Sequence, residues 1–509
     1  MGPMRLAELM GTLSLAADVA MGMPMDHGLR SAAVAVRLGE LVGAGDRDRA
    51  DAFYLSLLRY VGCTADSHIA AEVFGDEVAV RGALYGVDWG APTEVLPRAM
   101  SAVSRRAGGG VRGAAAAMRA AATMPKLMGT AQSHCEVGDN LAARSGFDDA
   151  FRAALLQTFE RWDGGGFPKK LRGEAIALSM RLAHVAEEIE TAHLQGGVDA
   201  ARAVTKKRAG RGLDPRIVER FQESAASVIA MLEVPSAWTT ALGAEPAPRE
   251  VPDEAVDEVL RAMGHLADLK SRFMRRHASG VADLVRAAGR RLRLGAAAER
   301  TLERAARVHD LGRVAVSAAV WDKPGALTDP EWELVRIHAY TGERILSRAT
   351  GLAAVAQIAA MAHERVDGSG YHRRLAGSSC PVSARVLAAA DVYAALTEER
   401  PQRAAKGADE AAAMLSRMAR EGALCPDAVA AVLAVSGHTT ARVERPDGIT
   451  DRELEVLRLV ARGKTNKEIA TTLDISPKTA GHHVEHIFAK IGVTTRAAAA
   501  MVAMQRGLA

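Results

Sequence analysis

The chain has few of the residues that mark β-rich or disulfide-stabilised proteins. Aromatic residues make up only 4% of its 509 residues, alanine is abundant and runs of β-branched residues are short. These features favour a mostly helical chain. The cysteines are widely separated and form no C-x-x-C pair: Cys63, Cys135, Cys380 and Cys425. We therefore expect reduced, buried thiols in a cytoplasmic protein.

Long apolar runs and a strong net charge are also missing. Asp18 and Asp26 interrupt the N-terminal apolar stretch, and no segment reaches the roughly 18 apolar residues that a membrane span requires. We therefore predict a soluble, cytoplasmic protein without membrane contact. The formal net charge of +4 is small for this length, so nucleic-acid binding has to rest on a local patch.

The sequence contains an internal repeat. HERVDGSGYHRRLAG at 363–377 aligns without a gap on FERWDGGGFPKKLRG at 159–173, at an offset of 204 residues. Upstream the offset is 250, because His277 aligns on His27. The first copy therefore holds about 46 additional residues, which fit the Ala/Gly-rich stretch near 90–130. That insertion is a long loop, a helical hairpin or a disordered segment.

The repeat and two linkers predict three domains in an all-α protein. Residues 1–242 form the first helical domain, 255–435 the second and 449–509 a four-helix C-terminal domain. The Pro-rich stretch 243–254 and the polar stretch 436–448 separate them as linkers.

The second repeat carries a set of possible metal ligands. They are imidazoles and carboxylates only: His277, His309, Asp310, His338, His363 and Asp391. Such donors suit iron, manganese, zinc or a similar divalent ion, and a carboxylate can bridge two ions. A single histidine is more often a core or surface residue, but an ordered set of this kind indicates a metal site.

Four motifs in this region point to one family: VHDLGR at 308–313, KPGALTDPEWELVRIH at 323–338, HERVDGSGY at 363–371 and ADVYAALTEERP at 390–401. They resemble the HD superfamily of metal-dependent phosphohydrolases, in particular its HD-GYP branch, over about 175 residues. The resemblance implies a helical domain that holds two or three metals, with Asp310 as the bridge. It also implies hydrolysis of a cyclic dinucleotide, typically cyclic di-GMP, by a metal-activated water.

Three positions depart from the family pattern. Ala362 replaces a histidine, Arg313 replaces a lysine and His372 replaces the proline of the name motif. Arginine can grip a phosphate through two hydrogen bonds but cannot donate a proton at neutral pH. We assign Asp310 and Arg313 as the candidate catalytic residues. His372 is either a replacement ligand or, as we favour, a surface histidine.

The first repeat has lost most of these donors. Arg59 and Tyr60 stand at the positions of the His-Asp pair, Phe159 at that of His363 and Glu187 at that of Asp391. Arginine and phenylalanine bind no metal, so this copy is predicted to be a degenerate pseudo-domain. Its role is regulation or dimerisation, either through a pocket that binds a phosphate-bearing signal or as a packing platform.

The C-terminal domain has the signals of short capped helices. Thr450 and Thr465 each precede a glutamate by three residues, and Ser476 precedes a proline, which is an N-cap pattern. From Pro477 onward a buried stripe is predicted at Ala480, Val484, Ile487 and Ile491. Residues 450–509 contain nine Lys/Arg and six Asp/Glu, enough positive charge to steer towards phosphates.

This domain resembles the LuxR-type helix-turn-helix over its full sixty residues. The resemblance makes 465–474 the scaffold helix and 477–491 the recognition helix in the major groove of double-stranded DNA. It places three residues near the phosphate backbone, Lys478, Thr479 and Lys490. It places three others near base edges, Gly481, His482 and Glu485. Such domains usually bind as dimers, so a homodimer is expected.

Two functions fit these features. The first is a DNA-binding transcriptional regulator whose HD-type region senses a ligand, such as a cyclic dinucleotide or another phosphorylated molecule, or a metal. The alternative is an active metal-dependent phosphodiesterase with a DNA-binding tail. A weaker third interpretation is a structural pseudoenzyme pair that recruits partners to DNA. Regulation needs binding at the metal site, whereas hydrolysis needs metal and water.

Overall fold

The computed structural model describes residues 4–88, 91–128, 131–436 and 449–505. Most of these residues lie in helices, and the one sheet among them has two short strands, so the predicted all-α fold is confirmed. The chain divides into two compact units, residues 1–63 with 69–256 and residues 257–509 with the short segment 64–68.

The helices of residues 4–252 are joined by loops, the longest of which, 156–177, contains the glycine loop. They are α1 (Leu6–Ala20), α2 (His27–Leu41), α3 (Asp46–Leu58), α4 (Ser67–Phe74), α5 (Glu77–Ala83), α6 (Pro92–Arg106), α7 (Gly110–Met128), α8 (Ala131–Arg144), α9 (Asp149–Leu155), α10 (Leu178–Arg208), α11 (Pro215–Ile229) and α12 (Ala237–Ala244). Strand β1 (Met4–Arg5) pairs antiparallel with β2 (Glu250–Val251). Helix α10 is broken where Gly196 and Gly197 leave helical geometry.

The helices of the second repeat follow the same plan. They are α13 (Asp253–Asp268), α14 (His277–Arg291), α15 (Ala296–Val308), α16 (Ala318–Trp321), α17 (Asp329–Leu346), α18 (Ala353–Ala359), α19 (Val382–Thr397), α20 (Ala408–Arg420) and α21 (Pro426–Ser436). Helix α14 packs on α15, α19 and α21. Both repeats therefore place a histidine at the first residue of a core helix, α2 in one and α14 in the other.

The Ala/Gly-rich insertion forms a helical hairpin in its described part. Helices α6 and α7 pack together around Val103 and Ala120, in a small apolar core that they share with α4 and α5. Between them Gly108 and Gly109 have positive φ angles, which glycine adopts without steric cost. Residues 89–90 and 129–130, at the ends of the predicted insertion, lie outside the described residues.

The stretch 243–254, predicted as a linker, packs on the first unit. Glu245 is only 6% exposed and accepts hydrogen bonds from Arg5 and Tyr54. These partners are distant in sequence, so the Pro-rich composition gave no sign of them. The other predicted linker, 436–448, lies outside the described residues except for Ser436.

The C-terminal domain consists of α22 (Asp451–Ala461), α23 (Asn466–Leu473), α24 (Pro477–Ile491) and α25 (Arg496–Gln505). Both predicted capping boxes are confirmed, and the Ser476 side chain accepts from the backbone N–H of Thr479. The predicted stripe on α24 is buried in the core of this domain. These caps satisfy backbone N–H groups that would otherwise lack partners.

The described cysteines are all free thiols. Cys63 and Cys380 are buried as predicted, but Cys135 and Cys425 are only half-buried. Within the described ranges, no single helix is both long and apolar enough to cross a membrane, although α24 and α25 together pass that test as a bent pair on length and composition alone.

One close backbone contact recurs in both repeats. A Cβ atom on Gly312 would lie 1.9 Å from the carbonyl oxygen of His338, and a Cβ on Gly62 would lie 1.9 Å from that of His134. Only glycine permits such an approach between the turn after the core helix and the helix that carries the next histidine. The contact in the second repeat fixes α17 beside the turn at Gly312.

We expect Gly312→Ala to destabilise the protein, because the added methyl overlaps the His338 carbonyl. Overpacking of this kind costs about 1–3 kcal/mol. Gly280→Ala on α14 is the control, since its Cβ meets nothing within 4 Å and the helix gains about 0.5–1 kcal/mol. Chemical denaturation followed by circular dichroism measures both. A Gly312→Ala variant as stable as the wild type would contradict the close contact.

Candidate functional site

The six predicted ligands of the second repeat converge in the core of its helices. Their side chains come from α14, the end of α15, α17, the segment after α18, and α19, and none is more than 7% exposed. They form two groups: His277 with His309 and Asp391, and Asp310 with His338 and His363. In the described residues both candidate metal groups lie in this repeat.

The first group is oriented by hydrogen bonds outside it. His309 Nδ1 donates to the carbonyl of Ala306 at 2.8 Å, so its Nε2 points to Asp391 Oδ1 at 3.6 Å. His277 Nδ1 lies 2.9 Å from Glu398 Oε2, and its Nε2 lies 3.1 Å from the same Asp391 oxygen. A carboxylate or carbonyl that accepts from one ring nitrogen fixes the tautomer of the imidazole. The other nitrogen is then available to bind a metal ion.

Asp310 stands between the two groups. Its Oδ1 is 3.2 Å from His338 Nε2 and 3.5 Å from His363 Nε2, while its Oδ2 is 3.4 Å from His309 Nε2. His338 Nδ1 donates to the carbonyl of Val335, so its Nε2 also faces the site. One oxygen thus faces each group, as the bridging role implied by the family resemblance requires.

The site fits a divalent metal. His309 Nε2 and both Asp310 oxygens are buried and have no hydrogen-bond partner. Buried polar atoms without partners are costly, and imidazole with carboxylate suits iron, manganese or zinc. The Nε2 atoms of His338 and His363 also face each other at 2.9 Å. All six residues could hold the metal, which would supply Lewis-acid stabilisation of a phosphodiester.

Local charges set the protonation of the donors. Burial alone would raise the pKa of Asp310, but Arg313 and His309 outweigh it and hold that pKa well below its usual range. Burial lowers the pKa of His338 to about 4. Asp310 is therefore a carboxylate and His338 a neutral imidazole at neutral pH, the forms that bind metal ions.

Arg313 lies at the edge of the metal cluster. Its Nε is 3.1 Å from Asp310 Oδ2, and its guanidinium stacks over the Trp321 ring at 4.3 Å. Trp321 in turn donates from its indole nitrogen to the carbonyl of Arg313 at 3.2 Å. The side chain is therefore held in place beside Asp310, where we predicted it to act.

Two of the departures from the family pattern have clear structural outcomes. Ala362 is fully buried and offers no donor atom. His372 lies outside both ligand groups, with Nε2 3.3 Å from Glu343 Oε2 and its ring against Tyr340. The structure therefore gives His372 a partner other than the metal cluster.

The duplicated glycine loops are built alike. Glu364 accepts the backbone N–H groups of Arg373 and Leu375, at 2.7 and 3.0 Å. At the same place in the first repeat, Glu160 accepts two backbone N–H groups nine and eleven residues later, at 2.7 and 2.8 Å. The buried glutamate holds the loop closed in both copies, which explains why the motif persists where the metal donors are lost.

An aromatic stack accompanies each loop. His363 stacks on Tyr371 with ring centroids 5.0 Å apart, and Phe159 stacks on Phe167 at 4.9 Å. Phenylalanine therefore keeps the packing of the histidine and removes its nitrogen donor. The first residue of the motif therefore packs its ring in the same way in both copies. Only His363 also has a nitrogen that could bind a metal.

In the first repeat, charged and polar side chains at the corresponding positions pair with one another. Arg59 Nη1 lies 2.5 Å from Glu187 Oε2, and the hydroxyl of Tyr60 donates to the same carboxylate. His27 Nδ1 lies 2.6 Å from Glu190 Oε2. Arg59 thus places a positive charge at the position where the candidate metal ligands of the second repeat meet. A cavity of about 140 Å³ remains beside Arg59, Tyr60 and Glu187.

Glu398 is the residue that the sequence analysis missed. It follows Asp391 by seven residues, directly after the end of α19, and its carboxylate orients His277. The helical spacing within ADVYAALTEERP was the available signal. Glu398 also accepts from Arg400 at 3.0 Å.

The recognition helix presents most of its predicted DNA-contacting residues to solvent. Lys478, Thr479, His482 and Glu485 are exposed, and Gly481 is half-buried. A Cβ on Gly481 would lie 3.4 Å from Asn466, so α23 and α24 approach each other closely at this glycine. Lys490 is exposed but pairs with Glu453 of α22 at 2.7 Å. Its predicted phosphate contact competes with this ion pair.

Comparison with known proteins agrees with this organisation. Residues 261–424 match the family described as "HD domain", and residues 447–503 match "Bacterial regulatory proteins, luxR family". The chain is 27% identical to the 3'3'-cGAMP-specific phosphodiesterase 3 of Vibrio cholerae, over 81% of this chain and 90% of that protein. It is 37% identical to the cyclic di-GMP phosphodiesterase response regulator RpfG of Xanthomonas campestris, over 32% of this chain and 42% of that protein.

A solved structure is also similar. The crystal structure of a cyclic GMP-AMP-specific phosphodiesterase of Vibrio cholerae superimposes with a TM-score of 0.59 at 25% identity, covering 85% of this chain and 98% of that one. The second repeat, residues 261–424, is thus similar to HD domains. The chain combines an HD-GYP-like region with a C-terminal helix-turn-helix domain of the luxR family.

We expect the purified protein to retain a divalent metal and Asp310→Ala to lose it, because that carboxylate belongs to one ligand group and its second oxygen faces the other. Removing an orienting partner already weakens metal binding by about 10–100-fold, and loss of a shared ligand should exceed this. Inductively coupled plasma mass spectrometry measures the metal content. Asp283→Ala, an exposed carboxylate on α14 that is 61% exposed, is the control. A wild type without metal after loading would refute the site.

We expect Lys478→Ala to weaken binding to all duplex sequences and to lower the slope of log affinity against log salt by about one, because it removes a phosphate contact. Gel-shift titrations at several salt concentrations measure both quantities. Lys406→Ala, outside the helix-turn-helix domain, is the control. An unchanged titration for Lys478→Ala would count against the placement of α24 on DNA.

Proposed function

We propose that this protein is a DNA-binding transcriptional regulator whose HD-GYP-like region senses a cyclic dinucleotide at a divalent metal site and controls the helix-turn-helix domain. The observation that carries the proposal is the combination, on one chain, of a buried histidine–aspartate cluster and an exposed recognition helix. The similar proteins named as phosphodiesterases of 3'3'-cGAMP and cyclic di-GMP support the choice of ligand.

The residues of the cluster have two roles, metal binding and phosphate binding. His277, His309 and Asp391 would hold one metal position and Asp310, His338 and His363 the other, with iron, manganese or zinc as the metal. Arg313 would bind a phosphate oxygen, since its guanidinium is held by Trp321 beside Asp310. Burial of all these groups excludes bulk water and strengthens each electrostatic contact.

An active phosphodiesterase is the second candidate, because all six donors are in place. Two features oppose efficient turnover. Arg313 cannot donate a proton at neutral pH, and Ala362 removes one donor of the family pattern. Binding of the dinucleotide without rapid cleavage is the behaviour that suits a sensor.

We further propose the domain division 1–242, 255–435 and 449–509, with the first repeat as a regulatory or dimerising module. Its cavity carries Arg59, whose Nε is buried without a hydrogen-bond partner, so a phosphate-bearing signal is one candidate occupant. Charge compensation by Glu187 supports a structural role instead. A homodimer would present two recognition helices to two half-sites of DNA.

The test compares binding with turnover. Metal-loaded wild type and Asp310→Ala are incubated with cyclic di-GMP and 3'3'-cGAMP, and calorimetry measures binding while chromatography detects linear products. We expect the wild type to bind one of them with little product and Asp310→Ala to bind neither. Rapid product formation would establish the enzyme instead, and Arg313→Lys should then increase the rate. A wild type that neither binds nor cleaves them would contradict both functions.

A further inference from the structure

The helical hairpin formed by α6 and α7 is strongly basic. Residues 91–128, which include it, contain six Lys/Arg and one Asp/Glu, a net charge of +5. The net charge of the whole chain is only +4, so this segment accounts for all of the positive excess. It lies in the insertion that the second repeat lacks, so the plan shared by the two repeats does not require it. A surface of one charge added to a fold favours a partner of the opposite charge.

The positive charge of the hairpin is exposed and largely without compensation. Its exposed arginines are Arg98, Arg105, Arg106, Arg112 and Arg119. In the part of the chain that the structure describes, Arg106 alone among them pairs with a carboxylate, that of Asp76 at 3.0 Å. Glu94, the one carboxylate of the segment, pairs with Lys207 of α10 at 3.2 Å. It therefore does not neutralise the arginines of the hairpin.

The spacing of these arginines suits the phosphates of a DNA duplex. Arg112 and Arg119 are seven residues apart on α7, so they share one side of the helix at a rise of about 10.5 Å. Arg98 and Arg105 have the same spacing on α6. Double-stranded DNA carries one negative charge for about every 1.7 Å of its axis, so each arginine can contact a different phosphate. Arginine also binds a phosphate through two parallel hydrogen bonds.

The tip of the hairpin is open to a large partner. Gly108, Gly109 and Gly110 lie there between Arg106 and Arg112, and a Cβ on any of these glycines would meet nothing within 4 Å. The glycines have no side chains that would hold a polyanion away from the neighbouring arginines.

An anionic membrane is the other class of partner that a basic helix with exposed apolar residues suits. Val111 and Met118 on α7 are 88% and 68% exposed. Helices that insert into the lipid interface usually carry tryptophan, phenylalanine or leucine on the apolar face, and residues 110–123 contain none of these. The other exposed apolar positions of α7 are alanines, which offer little area to a membrane. The composition therefore favours DNA, the polyanion that the helix-turn-helix domain of the same chain binds.

We propose that the α6–α7 hairpin is a second DNA-contacting surface, whose arginines bind phosphates of the duplex that the C-terminal domain holds. The inference rests on the DNA-binding part of the proposed function and is independent of the cyclic dinucleotide. Phosphate contacts read no bases, so the hairpin adds affinity equally on all sequences. Because both surfaces belong to one chain, the second contact is intramolecular, and a few phosphate contacts are sufficient to strengthen binding.

The test measures the affinity of the full chain for duplex DNA by fluorescence anisotropy at several salt concentrations. Arg112→Ala combined with Arg119→Ala should lower the slope of log affinity against log salt by about two, since each phosphate contact contributes ~0.9. The double variant should also raise the Kd by the same factor on every duplex sequence. Both arginines are exposed and alanine is the best helix former, so α7 should remain folded.

Two controls separate a phosphate contact from a change in total charge. Arg216→Ala combined with Arg220→Ala removes two exposed arginines from α11, the same loss of charge, and should leave the slope unchanged. Arg112→Lys combined with Arg119→Lys keeps both positive charges and should keep most of the slope. A purely structural role of the two arginines would not produce this pattern.

The failures are distinguishable. If the alanine variant of the hairpin keeps the wild-type slope while Lys478→Ala weakens binding, the hairpin contact is refuted and the DNA-binding function stands. If the α11 variant loses as much slope, the effect is one of net charge and the proposal is wrong. If the hairpin variant keeps its DNA affinity and instead loses binding to phosphatidylserine vesicles in flotation, the partner is a membrane and the proposal is also wrong. If the wild type binds no duplex, the DNA-binding function and the hairpin contact fail together.

Discussion

The carboxylate of Asp310 is the constraint on which the second repeat depends. Both of its oxygens are buried without hydrogen-bond partners, and imidazoles approach it from both ligand groups. A buried carboxylate needs compensating positive charge, because an uncompensated buried charge is expensive. Arg313 supplies part of it at Oδ2, and a metal ion held between the two ligand groups would supply the rest. The glycine approach at Gly312 and the loop closed by Glu364 both serve to bring those imidazoles to the carboxylate. The first repeat resolves the same constraint by placing Arg59 against Glu187.

Comparison of the two repeats therefore distinguishes the side chains that maintain the fold from those that could bind a metal. Each keeps a buried glutamate that closes the glycine loop and a ring stack at the head of the motif. Only the second keeps the full set of six nitrogen and carboxylate donors at the centre. A duplicated motif thus indicates a shared backbone, and the identity of its head residue, Phe159 or His363, indicates whether a metal can bind.

Much of the fold and of the site could be predicted from the sequence. The helical class followed from composition, the caps of α23 and α24 from local signals, and the six donors from their ordered spacing. Glu398 was missed because its role depends on which face of α19 meets His277. The packing of 243–254 was missed because Glu245 is buried by Arg5 and Tyr54, which are remote in sequence. The Ala/Gly-rich insertion was undecided because helices and disordered segments share that composition.

The central claim is that the HD-GYP-like region controls the helix-turn-helix domain. Thermodynamic linkage between the binding of cyclic di-GMP and the binding of DNA makes this claim measurable. A duplex selected from a random library is titrated with the metal-loaded full chain, with and without saturating cyclic di-GMP, and fluorescence anisotropy gives the two affinities. We predict that they differ by about 5–150-fold, and that the DNA shifts the affinity for cyclic di-GMP by the same factor. Equal DNA affinities in the presence and absence of bound cyclic di-GMP would contradict the account.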